Sequence, residues 1–499
     1  MSIELVVNNT SVKIKGAVPQ NVIVILDAYM SYVHQGQQFM ARKNGYGWDG
    51  RVRLLKNNSF PVGLLHECEK VFKNNNIEYK VTDGRGFVKN PKSLEISKDS
   101  DFKPRHYQTA ALKAAIKNKH GVVKAATGSG KTATIAMISG HYNVDTVIYV
   151  IGVELLYQMK ETIEWLYPEM KVGIVGDGKC DIRQITIATI WSAAAAFNKK
   201  ASSLDSDMTS DRKKIKKQDK EAVRDMVSSA KVFILDECQF AAANTVQFLH
   251  KASVNASHRF LFSASPWRDT GDDILIESVA GRRIYDISAS RLIREGFLVK
   301  PKIYFVDVPP IRNVGSNYHE VYRNYIVENE ERNELIVKSA KKLLAKNKRI
   351  LILVVRVDHG IILVEELKKQ GIVCDFLDGQ KSTKKRLQCI QDMKDGKTEI
   401  LIASKIFDQG VDIPELDALI LAGSGKSSGR ALQRIGRVIR KFDGKEISIV
   451  VEFMDNAKYL RDHSNARMNV YRSESEFDVI VEGPKDPDAY VKNKKIRWN

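Results

Sequence analysis

The chain has 499 residues, 43% of them apolar, with a formal net charge of +19, which suggests about three globular domains and excludes a disordered or fibrous chain. Its apolar runs are strand-sized, the opening MSIELVVNNT lacks a signal-peptide pattern, and five scattered cysteines form no CxxC pair. A membrane protein, a disulfide framework and a zinc site are therefore not expected; a cytoplasmic protein with a polyanionic partner is.

Residues 1–100 mix short strand-like runs with turn signals such as Asn44-Gly45 and Asp49-Gly50. Around these turns, ARKNGYGWDGRVRLLK interleaves Arg42, Lys43 and Arg51 with Trp48. Two readings stay open. Cations and an aromatic can grip nucleic acid, or Trp48 can pack into a small core beneath solvated charges. Lys98–Lys103 reads as a linker.

From Arg105 the pattern changes. Apolar runs at Gly121–Ala125, Thr146–Ile151, Lys171–Val175, Ile185–Ala188, Lys231–Leu235 and Phe260–Ser263 alternate with helical segments. These are strands of a parallel sheet with crossover helices. The pattern restarts at Lys302–Val306 and continues through Ile350–Val355, Ile372–Phe376, Glu399–Ala403, Ala418–Leu421 and Glu446–Val451. The expected domains are 1–100, a first lobe over 101–295, a second lobe over 296–455 and a C-terminal extension over 456–499. Residues 198–230 interrupt the first lobe with DRKKIKKQDKEAVRDMV, which reads as a solvated charged helix or as a prong touching nucleic acid.

VVKAATGSGKT runs strand, glycine loop, helix. Gly128 and Gly130 leave room for backbone N–H groups to face phosphate, Lys131 would neutralise the β- and γ-phosphates, and Thr132 would ligate Mg2+. Position 125 is Ala where the general pattern has Gly. In VFILDECQ a buried strand ends on adjacent carboxylates. Asp236 is placed to hold Mg2+ and Glu237 to activate the attacking water. In QRIGRVIR, Gln433, Arg437 and Arg440 fall at i, i+4 and i+7 of a helix, where arginine could meet charge developing on the γ-phosphate. GSGKS at 423–427 imitates a second glycine loop, but it leads directly into that arginine helix and no carboxylate strand follows.

Taken in order, these motifs resemble superfamily 2 helicases and translocases over about residues 103–455. The resemblance implies two tandem RecA-like α/β lobes of parallel sheet, with a small α+β N-terminal domain and a short C-terminal extension. It makes RHYQ an adenine-reading element, with Arg105 and Gln108 near the base. AATGSGKT becomes motif I, so that Thr127, Gly128, Ser129, Gly130, Lys131 and Thr132 hold ATP. Gln239, Ser263 and Ser265 couple hydrolysis to nucleic acid, FDQGVDIPE puts Gly410 and Asp412 at the lobe interface, and QRIGRVIR is motif VI. Gln239 departs from the His of DEAH-type motifs.

The implied activity is that of a DNA branch-migration motor acting on duplexes, forks, four-way junctions, R-loops and RNA–DNA hybrids. It would use ATP and Mg2+, alongside a single-strand-binding protein, in a bacterial cytoplasm if phage-encoded. Thr189 and Arg356 are the expected phosphate contacts on the track. Three rivals stand beside it: an RNA helicase, the motor of a restriction complex, and a DNA-binding protein with a dead ATPase fold.

Overall fold

A computed structural model describes residues 2–33, 48–199, 216–266, 271–311, 314–379, 381, 383–404, 413, 415–423, 425 and 428–482. Two compact units are present: residues 1–125 with 130–287, and 288–499 with the four loop residues 126–129.

The first unit begins with a four-stranded sheet in the order 59–61, 11–15, 3–7, 79–83. Ile3, Leu5 and Val7 alternate inward along one strand, as one buried face requires. Helices Gln20–Tyr29 and Leu65–Asn74 supply Val22, Leu26, Cys68, Val71 and Phe72 to the same core.

The larger sheet of this unit has eight strands, ordered 179–181, 173–176, 185–189, 146–150, 232–236, 258–263, 120–125, 283–287. Only the 173–176/179–181 pair is antiparallel. Strands 146–150, 185–189, 232–236 and 258–263 are buried along their whole length, since helices cover both faces. Helix Lys131–Tyr142, with nine of its twelve residues buried, follows strand His120–Ala125 and packs on this core.

The small domain sits on the starting ends of these strands. Arg259 is fully buried, and its guanidinium donates from Nε to Asn9 O (3.0 Å) and from Nη2 to Ser253 O (2.7 Å). Val88 N donates to His258 Nε2 at 3.0 Å, and the Ser257 hydroxyl donates to Gly86 O at 2.9 Å. A Cβ on Gly63 would lie 1.9 Å from Glu277 O, so only glycine allows this approach of two backbones.

In the interrupting segment, helix Lys220–Ser229 is not solvated all round, as its charge had suggested. Val223, Met226 and Val227 are buried in the lobe core, because these apolar positions recur at helical spacing beneath the charged face. Residues 200–215 lie outside the described residues.

The second unit carries a seven-stranded parallel sheet, ordered 374–377, 400–403, 350–353, 418–421, 447–455, 300–308, 478–482. Its last strand comes from the chain beyond residue 456 and pairs with 300–308. Helix Leu460–Arg472 packs beside it through a buried network: Arg467 meets the Glu452 carboxylate (Nε–Oε1 3.1 Å), and Tyr471 OH donates to the same carboxylate (2.7 Å). Arg332 and Asp455 form a second buried pair at 2.8 Å. Among the described residues no helix is long and apolar enough to cross a membrane.

Candidate nucleotide site

The connection from strand His120–Ala125 to helix Lys131–Tyr142 passes through Gly128 (φ +84°) and Gly130 (φ +78°), both left-handed. Side-chain-free turns of this hand let backbone N–H groups face an anion at a helix N-terminus. Ser129 is buried, and its N–H closes the turn onto Ala126 O at 3.0 Å. Thr132 lies half-buried in the first helical turn.

Gln108 packs against this turn. Its Oε1 accepts from Arg105 N–H (2.9 Å) and its Nε2 donates to Gly130 O (3.5 Å). Arg105 also donates from Nη1 to Tyr107 OH at 2.7 Å. The two residues expected at the base are thus tied to one another, and Gln108 to the glycine turn.

Strand Val232–Asp236 delivers the carboxylates to the same place. Lys131 Nζ lies 2.9 Å from Glu237 Oε1 and 3.6 Å from Asp236 Oδ1. Burial penalises the Lys131 ammonium, but Glu237 and Asp236 outweigh it and raise its pKa above the usual lysine value. Burial likewise raises the Asp236 carboxyl above the usual range, against the pull of Lys131. Glu237 sits at φ +61°, ψ +63°, a left-handed conformation that costs a non-glycine residue about 1–3 kcal/mol. Its N–H donates to Asp236 Oδ1 at 3.0 Å, which helps to hold that turn.

From Glu237 a chain of hydrogen bonds runs across the sheet. Gln239 Nε2 donates to Glu237 Oε2 (3.0 Å), the Ser263 hydroxyl donates to Gln239 Oε1 (2.7 Å), and Ser265 N–H donates to the Ser263 hydroxyl (3.0 Å). An amide at position 239 offers a donor and an acceptor at once, so it bridges the carboxylate and the serine.

In the second unit, helix Ser428–Val438 carries Gln433 and Arg437, both half-buried. The helix stops at Val438, so Arg440 does not continue the face expected for it. Arg440 instead pairs with Leu298 in an isolated β-bridge, with Val299 N–H donating to Ile439 O at 2.9 Å. Burial pushes the Arg440 guanidinium down to about 10. Arg467 Nη1, on helix Leu460–Arg472, donates to Gly425 O at 3.2 Å.

The expected track contacts divide. Thr189 is fully buried, and its hydroxyl accepts from Ser192 N–H as the cap of helix Ile190–Ala196. That placement makes it the cap that joins the strand end to the helix. Arg356 is half-exposed at the start of helix Val357–Lys369, 2.9 Å from Asp358 Oδ2. Trp48 donates from Nε1 to Arg51 O (3.0 Å), and Arg51 is exposed. Arg42, Lys43, Gly410 and Asp412 lie outside the described residues.

Sequence reasoning missed Arg259, Arg332, Glu452 and Arg467. For two of them a signal was available: Arg259 and Glu452 are ionisable residues directly followed or preceded by apolar runs in their strands, which demands a buried partner.

Three families match successive stretches of the chain. The N-terminal domain of the DNA helicase UvsW matches residues 5–83, the res subunit of type III restriction enzymes matches 101–268, and the helicase conserved C-terminal domain matches 333–442. Together these matches support a superfamily 2 helicase most like UvsW. The ATP-dependent DNA helicase uvsW of Enterobacteria phage T4 is 25% identical over 459 residues, covering 86% of this chain and 86% of that protein. The DNA 3'-5' translocase XPB2 of Sulfurisphaera tokodaii is 25% identical over 392 residues, covering 71% of this chain and 82% of that one. The L327V variant of Dbp5 from S. cerevisiae, in a structure bound to RNA and ADP BeF3, shares the fold at a TM-score of 0.53 and 16% identity, covering 79% of this chain and 93% of that chain. The two parallel sheets are accordingly RecA-like lobes, and the helicase is driven by ATP.

Proposed function

We propose that this helicase translocates on DNA and remodels branched substrates: forks, four-way junctions, R-loops with their RNA–DNA hybrids, and D-loops. The observation that carries the reading is the match of residues 5–83 to the UvsW N-terminal domain, together with the seating of that domain on the first lobe through Arg259 and Gly63. A module fixed to a motor lobe can hold duplex DNA while the motor moves it.

In this mechanism ATP enters at the glycine turn and its phosphates draw Lys131 away from Glu237. Thr132 and Asp236 are the oxygen donors suited to Mg2+, a hard cation that favours hydroxyl and carboxylate ligands. When bound, Mg2+ would offset charge on the β- and γ-phosphates. Glu237, released from Lys131, orients and deprotonates the attacking water. Arg437 and Arg440 meet the charge of the transition state. The chain Glu237–Gln239–Ser263–Ser265 links the state of the carboxylate to the end of strand His258–Ser263.

The test is a panel of fork, four-way junction, R-loop, RNA duplex and plain DNA duplex, each scored for stimulated phosphate release and for unwinding. The branched DNA substrates should stimulate most. Lys131→Ala should abolish turnover while DNA binding persists. Preference for RNA duplex, or turnover retained in Lys131→Ala, would overturn the assignment.

A further inference from the structure

Outside the nucleotide site, His66, Glu67 and Glu277 converge where the N-terminal module meets the first lobe. One ligand atom of each lies within 4.8 Å of those of the other two. His66 Nε2 is 3.4 Å from Glu67 Oε1 and 3.7 Å from Glu277 Oε2. His66 Nδ1 lies 2.9 Å from Gly63 O, which can only accept, so this nitrogen carries the proton. In the neutral ring Nε2 then turns its lone pair toward the two carboxylates. A backbone carbonyl fixing the remote nitrogen of a histidine is the usual arrangement behind a metal-bound imidazole.

The spacing points the same way. A tetrahedral zinc ion with bonds of about 2.0–2.2 Å separates its donors by about 3.3–3.6 Å along each edge. Both distances from Nε2 fall at or close to that range. The donors also stand on fixed supports. His66 and Glu67 occupy the first turn of helix Leu65–Asn74, Glu277 belongs to helix Ile274–Ala280, and the two backbones are locked by the Gly63 contact with Glu277 O. Lys70 also approaches Glu67, at 3.8 Å from Oε2. Imidazole selects zinc-like ions over Mg2+, and the partial exposure of Glu277 leaves a side open for water as fourth ligand. The scattered cysteines argued against a zinc site, but this donor set uses none of them.

We propose that His66, Glu67 and Glu277 form a zinc-type divalent cation site that staples the N-terminal module to the first lobe. Two carboxylates and one neutral imidazole balance the charge of such an ion, and the ligands come from both sides of the seam.

The test uses the full chain, stripped of metal and held with excess Mg2+ and ADP to saturate the nucleotide site. Co2+ is titrated as a spectroscopic probe, and Zn2+ by calorimetry. One ion per chain should bind, with a visible cobalt band, and zinc should raise the melting temperature. His66→Asn and Glu277→Gln should each weaken binding by about tenfold or more and remove the zinc-dependent shift, while melting like the parent without metal. Glu277→Gln alters a half-exposed side chain and keeps its shape, so it keeps the test open if His66→Asn folds poorly. Absence of a cobalt band, or a band of equal affinity in Glu277→Gln, would overturn the proposal, leaving a protonated histidine between two carboxylates.

Discussion

Lys131 Nζ lies 2.9 Å from Glu237 Oε1, so the residue that neutralises phosphate is held by the residue that activates water. A triphosphate must compete with Glu237 for this ammonium. The neutral amide in Glu237→Gln holds Lys131 less well and cannot take a proton. ATP affinity is therefore expected to rise while phosphate release falls by about 10²–10⁴-fold. Titration with a fluorescent nucleotide and a phosphate-release assay would measure the two separately; loss of both together would count against the competition.

The Ser263 hydroxyl donates to Gln239 Oε1 at 2.7 Å, and Gln239 in turn donates to Glu237. Ser263→Ala removes that donor without touching the carboxylates. A hydrogen bond of this kind contributes about 0.5–1.5 kcal/mol, so unstimulated hydrolysis should change only a few-fold. The stimulation by nucleic acid should drop by about tenfold, since each 1.4 kcal/mol is a factor of ten. Equal loss of basal and stimulated rates would assign Ser263 to the chemistry itself and not to coupling.

Gly130 combines φ +78° with a Cβ direction that ends 2.4 Å from Gln108 Nε2. Gly130→Ala should cost about 1–2 kcal/mol for the left-handed backbone alone, and displace Gln108 besides. KM for ATP is expected to rise and the melting temperature to fall. Shortening the neighbour in Gly130→Ala/Gln108→Ala relieves the collision but not the backbone, so the double variant should be more stable than the sum of the singles. A double-mutant cycle by thermal unfolding reads this directly; strict additivity would refute the contact.

His258 accepts from Val88 N–H through Nε2 and is 1% exposed, so the folded protein keeps it neutral. Burial pushes its pKa down from 6.5 to about 4, and burial does the same to His120 beside Arg85. Between these values the unfolded chain takes up protons that the folded chain refuses. Stability is therefore complete above pH 6.5 and falls as pH falls toward 4. The expected loss by pH 5 is about 2 kcal/mol for each histidine. Urea unfolding of the parent and of His258→Gln at pH 7 and pH 5 would check it: the variant should show the shallower pH dependence.

The strands and their order of succession were legible because buried parallel strands read as continuous apolar runs, and the glycine turn and strand-end carboxylates because their chemistry fixes residue type and spacing. The edge strands Arg283–Ile287, Lys179–Asp181 and Asp478–Glu482 were not, since half-exposed edges carry no such run. The break after Val438 was hidden because i+7 periodicity continues on paper past the point where Arg440 turns into a bridge with Leu298. Contacts such as Arg259 with Asn9 span 250 positions of sequence, and no local pattern encodes them.

The seat of the small N-terminal domain changes what can be exchanged between such enzymes. Arg259 needs Asn9 O as one acceptor, and the backbone at Glu277 needs a residue without a side chain at position 63. Dividing the chain at residue 100 would strand a buried guanidinium short of one of its acceptors and expose the rims of strands 120–125 and 258–263. A transferable module therefore comprises residues 1–88 together with the receiving surface at 120, 250–259 and 277–281. Swapping the N-terminal segment alone between helicases should yield chains that aggregate before their substrate preference can be read.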